Sequence, residues 1–193
     1  MAHGQWIVSA EGTRWWFDSG ALSLDLAYTG TMPDNGALEQ WGTPHDLGEW
    51  LSGRFDRYSD DPEARDLIDA RALRGAIGRL ALAAAAAAAP LPDDIDTVNL
   101  FAATPDIAPS LEGGNRQAGR GRIRTGQALA TIARDAVDLF SHSTEQRIRE
   151  CSAADCTFVF FDESRTNNRR WCSMQRCGNR AKVRAFRAKT AAR

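Results

Sequence analysis

Cysteine is missing from 166 of the 193 residues, lysine occurs only twice among 24 basic side chains, and no apolar run exceeds the ten residues from Leu80 to Ala89. That run, mostly alanine and closed by Pro90, falls well short of the roughly 20 residues a bilayer span requires. The first ten residues carry no basic stretch leading into an apolar segment, so a cytoplasmic protein with no membrane partner is expected. Motifs that carry chemistry are also lacking. No Lys-Ser/Thr follows the glycines at Walker spacing, no strand leads through Gly-x-Gly-x-x-Gly into a helix, and neither Gly-x-Ser-x-Gly nor His-Glu-x-x-His occurs. The three histidines, His3, His45 and His142, are far apart in sequence. On these grounds no catalytic residue is assigned and a protein other than an enzyme is expected. A catalytic reading has Asp25, His45 and the tryptophans as raw material, at spacings that demand no chemistry. Wholesale disorder and fibrous repeats are excluded by a composition that is 43% hydrophobic and 25% charged.

The net charge of −1 conceals two unlike parts. From His142 to Arg193 there are 12 basic and 5 acidic residues, against 12 and 20 in the preceding 141. The segment from Gly178 to Arg193 has six basic side chains and no acid, the pattern of a surface that meets phosphate. Arginine is abundant throughout, so its clustering carries the signal and its frequency does not. A second cluster, Arg116, Arg120, Arg122 and Arg124, reads as the solvated face of a hairpin, with Arg122 and Arg124 opposite Ile123.

Residues 1–141 are predicted to form one unit and residues 146–193 another. In the first, Trp6 to Val8 and Arg14 to Phe17 read as short strands joined by a turn at Glu11-Gly12. Residues 18–29 are ambiguous: Leu22, Leu24 and Leu26 alternate as in a strand, whereas Ser19 and Gly30 bracket a helix, the reading adopted. Gly30 to Gly42 is a polar loop. Thr43-Pro44 opens a short helix through Leu51, and Asp61-Pro62 opens the longest one, to about Ala89. Leu73, Ile77, Leu80 and Ala84 lie on one face of it. Pro92 to Ala103 forms another helix, Ile107 to Ile123 a hairpin, and Thr125 to Ser141 a last helix burying Leu129, Ile132, Ala136 and Leu139. The fold class is therefore α+β: a mainly helical N-terminal domain with short strands, plus a small C-terminal treble-clef-like zinc finger.

The finger is argued from Cys151, Cys156, Cys172 and Cys177, spaced C-x4-C-x15-C-x4-C. Two close pairs separated by 15 residues fit one structural zinc ion, each pair forming a turn that presents two thiolates. Four unrelated buried cysteines are the bland alternative. A complete shell of thiolates leaves no open coordination position, so the metal is expected to staple the chain and to activate nothing.

Between the pairs, the apolar run from Thr157 to Phe161 and the stretch Arg169-Arg170-Trp171 predict a hairpin spanning the two metal turns. After Cys177 the residues favour a helix with Arg180, Arg184 and Arg187 on one face and with Val183 and Phe186 packed back on that hairpin. Trp171 reads as a core aromatic. Arg169, Arg170, Asn179, Arg180, Lys182, Arg184, Arg187 and Lys189 are the candidate nucleic-acid-binding residues, because arginine bonds both phosphate and guanine in bidentate fashion. The alternative is a zinc-dependent protein-interaction or RNA-binding module with its charges solvated.

The run from Arg170-Trp171 through Cys172-Ser173-Met174-Gln175-Arg176-Cys177-Gly178-Asn179-Arg180, with Cys151-x4-Cys156 upstream, resembles the CGNR zinc finger. The likeness spans about residues 146 to 190. It implies a bacterial protein, zinc on the four cysteines and DNA binding. The preceding chain is similar to the ABATE domain, through Phe17-x-Ser-Gly and Leu22-Ser-Leu-Asp25-Leu-Ala-Tyr-Thr29; this sequence has Ser19-Gly20 and Tyr28-Thr29 where members often have Gly-Gly and Asn-Thr. That resemblance implies a stress-response transcription regulator with a small-molecule effector site in residues 1 to 140, whose ligand-binding residues are unknown. Half-site geometry in regulators of this kind implies a homodimer.

Overall fold

A computed structural model of the chain describes residues 4–8, 12–30, 39–109, 111, 121–141 and 145–191. Strands β1 (Gln5–Val8) and β2 (Arg14–Phe17) pair antiparallel with Trp6 opposite Trp16. Side chains alternate across this ribbon, so Ile7, Trp15 and Phe17 enter the core while Trp6, Val8 and Trp16 face solvent. Residues 18–29 contain the helix α1 (Leu22–Ala27), and every one of its six residues is buried. A helix enclosed on all sides has no polar face, which is why its leucines alternate without forming a strand. The buried Asp25 carboxylate fixes its start, accepting the Gly4 amide at 2.8 Å and the Ser19 hydroxyl at 2.7 Å.

Helix α2 (Pro44–Ser52) opens on Thr43, whose amide donates to Asp46 at 2.7 Å. Helix α3 (Ala64–Ala85) ends four residues short of the predicted Ala89. The chain turns out of the helix there, with Ala87 at φ 51° ahead of Pro90. Its Leu73, Ile77 and Leu80 are buried as the periodicity requires. Helix α4 (Pro92–Ala102) is tied to α3 by Arg79, which donates to the buried Asp94 at 2.6 to 3.0 Å. Helix α5 (Thr125–Phe140) packs on both and buries Leu129, Ile132, Ala136 and Leu139. Its first amide, that of Thr125, is capped from a distance by Asp60 at 2.8 Å. Ile123 bridges to Tyr58, while Arg122 and Arg124 are exposed. The remainder of the hairpin expected there, with Arg116 and Arg120, lies outside the described residues, as do His3, His142 and most of the loop after Gly30.

In the C-terminal segment, β3 (Ile148–Glu150) pairs antiparallel with β4 (Val159–Phe161). This corrects the expected hairpin: the partner of the apolar run is the strand before Cys151, and Arg169 to Trp171 forms no strand. Asp162 explains the difference. It is buried, accepts the Ser164 amide at 2.9 Å and the Arg169 amide at 2.8 Å, and so closes the intervening loop on itself. Although burial disfavours its charge, bonds from Ser164 and the Arg169 amide hold its carboxyl below the usual range.

The β3–β4 ribbon does not stand apart. Phe158 stacks on Tyr28 with ring centres 4.9 Å apart and meets Trp15 and Phe17 edge-on at 5.1 and 4.9 Å. The Tyr28 hydroxyl accepts the Val159 amide at 2.6 Å and donates to the Val159 carbonyl at 3.1 Å. Phe161 donates its amide to the Ser19 carbonyl at 2.8 Å. One hydrophobic core thus runs from α3 and α5 through Phe17 and Tyr28 to Phe158, Phe160 and the four cysteines. Among the described residues no helix is long and apolar enough to cross a membrane.

Candidate metal centre and basic helix

The four cysteines come from three pieces of backbone that are braced on one another. Cys151 follows β3 and donates its amide to the Phe158 carbonyl at 2.8 Å; Cys156 closes a turn by bonding Ala153 at 3.0 Å. Cys172 follows the Asp162 loop and directs its amide at the Cys151 sulfur, 3.4 Å away. Cys177 sits in a single π-helical turn, Met174–Gly178, whose last amide returns to the Ser173 carbonyl. The four Sγ atoms lie within 4.8 Å of one another and all four residues are buried.

This donor set fits zinc. A tetrahedron of sulfurs with Zn–S bonds of about 2.3 Å has edges of about 3.8 Å, and Cys156–Cys172 and Cys172–Cys177 are 3.6 and 3.5 Å apart. Electrostatics agree. Hydrogen bonds from Cys156 and Cys172 hold the Cys151 thiol down at about 2, and the bond with Cys151 pushes Cys156 up to about 12. Protons shared in this way leave the cluster unable to ionise fully by itself, and a divalent cation supplies the missing charge. No histidine or carboxylate belongs to the cluster among the described residues, so four thiolates complete the shell and the centre is structural.

The π turn leads directly into α6 (Asn179–Ala191). Asn179 donates to the Gln175 carbonyl at 3.2 Å, and Arg180 donates to the Cys177 sulfur at 3.3 Å, joining helix to metal turn. Beyond that turn the helix leaves the body, and Lys182 to Thr190 are all exposed. Val183 and Phe186, expected to pack on the hairpin, are 48% and 71% exposed instead. The apolar side of the hairpin is already occupied by Trp15, Phe17 and Tyr28, which leaves no surface for α6 to cover.

The candidate contact residues divide by environment. Arg180 and Arg184 both grip Asp155, at 3.0 and 2.9 Å, and the Arg184 bond, with Arg180 beside it, holds that carboxyl below its usual range. Arg187 continues the same groove one turn on. Lys182, Arg187 and Lys189 are exposed and form no ion pair among the described residues. Arg170 is exposed and lies over the Trp171 ring at 5.1 Å. Arg169 has a different task. Its guanidinium rests on Phe160 at 4.2 Å and donates to the carbonyls of Asp18, Trp171 and Cys172 at 2.6, 3.1 and 2.7 Å. Its donors are turned inward, knitting β2 to the metal loop, because the broken strand there leaves carbonyls that need partners.

Sequence reasoning passed over Asp155, Tyr28 and Phe158. The Asp preceding Cys156 in an otherwise basic segment was the one available signal for the first; the others depend on contacts between residues about 130 apart. Asp25 and His45 are not brought together: Asp25 is spent inside the core, and His45 stands exposed beside Glu49 at 3.7 Å.

The family model described as CGNR zinc finger matches residues 147–190. The model of the ABATE family, described as putative stress-induced transcription regulator, matches residues 20–143, more than half of the chain. No curated protein matches the chain.

Proposed function

We propose that this chain, which belongs to the ABATE family and carries a CGNR zinc finger, regulates transcription by laying α6 against DNA. The observation that carries this reading is the helix itself. It is anchored at one end to the metal turn, holds five basic residues and no acid, and is exposed from Lys182 to Thr190. Lys182, Arg187 and Lys189 neutralise phosphates, Arg180 and Arg184 approach from the same helix, and Arg170 adds a charge from the metal loop. Phe186 and Val183, left uncovered, supply the apolar contact that a thymine methyl accepts. Zinc has no chemical step here; Cys151, Cys156, Cys172 and Cys177 use it to fix where the helix begins.

An apolar cleft of about 420 Å³ between α3, α4 and α5, lined by Leu80, Ile95, Val98, Val137 and Phe140, supports a small-molecule effector. Phe140 also packs against the cluster that holds Ile148 and Val159, so the cleft adjoins the finger's strands.

The test is a salt titration of duplex binding by the zinc-loaded protein and by a Lys182→Ala, Arg187→Ala, Lys189→Ala variant. Loss of three phosphate contacts lowers the salt slope by about 2.7 and weakens binding at every sequence. An unchanged slope rules α6 out as the DNA-contacting element.

A further inference from the structure

Beside α6, and separate from it, lies a groove of about 550 Å³. Trp16 and Asp18 line it from the end of β2, and Asn168, Arg170, Trp171 and Met174 line it from the metal loop. Residues 4–8 and 14–18 lie outside both matched segments, so neither family model describes this junction. Large aromatic side chains seldom gather at a surface without use. Here Trp16 is 38% exposed and Trp6, edge-on to it at 5.5 Å, is 50% exposed.

Both aromatic walls are seated on glycine. A Cβ on Gly4 would come within 2.7 Å of the Trp16 ring and 2.9 Å of the Phe17 carbonyl, at a φ of +109° that other residues rarely adopt. A Cβ on Gly178 would come within 2.8 Å of the Met174 sulfur and 3.3 Å of the Trp171 ring. Cations stand over the aromatics at the rim, Arg14 over Trp6 at 4.3 Å and Arg170 over Trp171 at 5.1 Å.

We infer that this groove receives an unpaired base of single-stranded DNA, stacked on Trp16 and Trp171. Tryptophan faces bind any base through its π surface, and guanidinium groups beside them hold the flanking phosphates. The Asn168 amide and Asp18 carboxylate offer an acceptor and a donor to the edge of a base, as such groups do for adenine and cytosine. A purely anionic ligand has no use for the tryptophans and is repelled by Asp18. A purely apolar one leaves these polar groups without partners. The two elements together describe a protein that holds duplex on α6 and an opened strand in the groove next to it.

The inference rests on the nucleic-acid reading above, and the two fail separately. The zinc-loaded full-length protein is titrated with labelled single strands of about 12 nucleotides, within the usual site size for such grooves, with the matching duplex, and with dTMP. The single strand is expected to bind and to quench tryptophan fluorescence. Trp16→Ala, at an exposed position, weakens that binding about 10-fold while duplex affinity is kept. Arg170→Ala, exposed and outside the core, weakens it independently and lowers the salt slope by about 0.7. Single-strand affinity unchanged in both variants overturns the proposal, as does dTMP binding as tight as that of the strand. Duplex binding indifferent to the three α6 substitutions, with strand binding still dependent on Trp16, refutes the helix reading and leaves this one standing.

Discussion

Replacing Tyr28 with Phe tests whether the metal centre and the helical domain are one folding unit. The ring keeps its stack on Phe158, but the hydroxyl that accepts the Val159 amide and donates to the Val159 carbonyl is lost. Both backbone groups belong to β4, and Val159 and Tyr28 are fully buried, so water does not replace the hydroxyl. Burial also pushes the Tyr28 hydroxyl well above its ordinary range, so it is neutral and able to donate at any working pH. Leaving two buried backbone groups unpaired at about 1 to 3 kcal/mol each, with partial relaxation, gives a destabilisation of about 3 kcal/mol. With a urea dependence of about 2 kcal/mol per M, the midpoint falls by about 1.5 M. Two probes are followed in the same titration: far-UV circular dichroism, dominated by α3 to α5, and metal release to a chromogenic chelator. Because Leu73, Ile77, Phe158 and the four cysteines share a core, both transitions move together. Metal release that shifts while the helical transition stays in place refutes the single-core reasoning, and no shift in either refutes the assigned role of the hydroxyl.

Asp60→Asn removes the charged acceptor that caps α5 and is expected to cost about 1 kcal/mol at pH 7. The Thr125 amide, its first partner, holds the Asp60 carboxyl below the usual range. Its contribution is therefore present above the unfolded value of about 3.9 and is lost as pH falls through the lower folded value. The stability gap between variant and parent, measured by denaturation across pH, closes below about pH 4; a gap that widens in acid contradicts the assignment. Asp155→Asn releases Arg180 and Arg184 from their shared carboxylate. Duplex affinity rises a few-fold at low salt and the salt slope steepens by about 1, whereas weaker binding shows that Asp155 positions the two arginines for DNA.

The zinc site was legible in the sequence because it is local: four cysteines within 27 residues fix a ligand set by spacing alone. The helices from α2 to α5 were legible for a related reason, since Thr43-Pro44, Pro92 and Thr125 mark their starts within one turn. What could not be read was the face each element turns to its neighbours. Val183 and Phe186 look like a packing pair until Phe158 is seen to be taken by Tyr28, a partner 130 residues away. Arg169 looks like a phosphate contact until the loop closed by Asp162 turns its fork onto three carbonyls. Trp16 reads as one member of a two-stranded ribbon, and only the docking of that ribbon on the metal loop puts it in a groove with Trp171.

The same docking explains how a chain of net charge −1 presents a basic surface. An acidic N-terminal part and a basic C-terminal part on a flexible tether would collapse on each other, and the helix would spend its charges internally. Packing the finger's strands against Phe17 and Tyr28 forbids that, because it fixes α6 to a metal turn from which it extends into solvent. Among the described residues the ion pairs of α6 all go to Asp155, a residue of the finger itself, and none goes to α2, α3 or α4. The acidic domain then acts at longer range. Within a Debye length of about 8 Å at physiological salt it leaves α6 unopposed, while beyond that length the overall negative charge weakens attraction to DNA at large. Contact is rewarded only where α6 reaches the duplex directly.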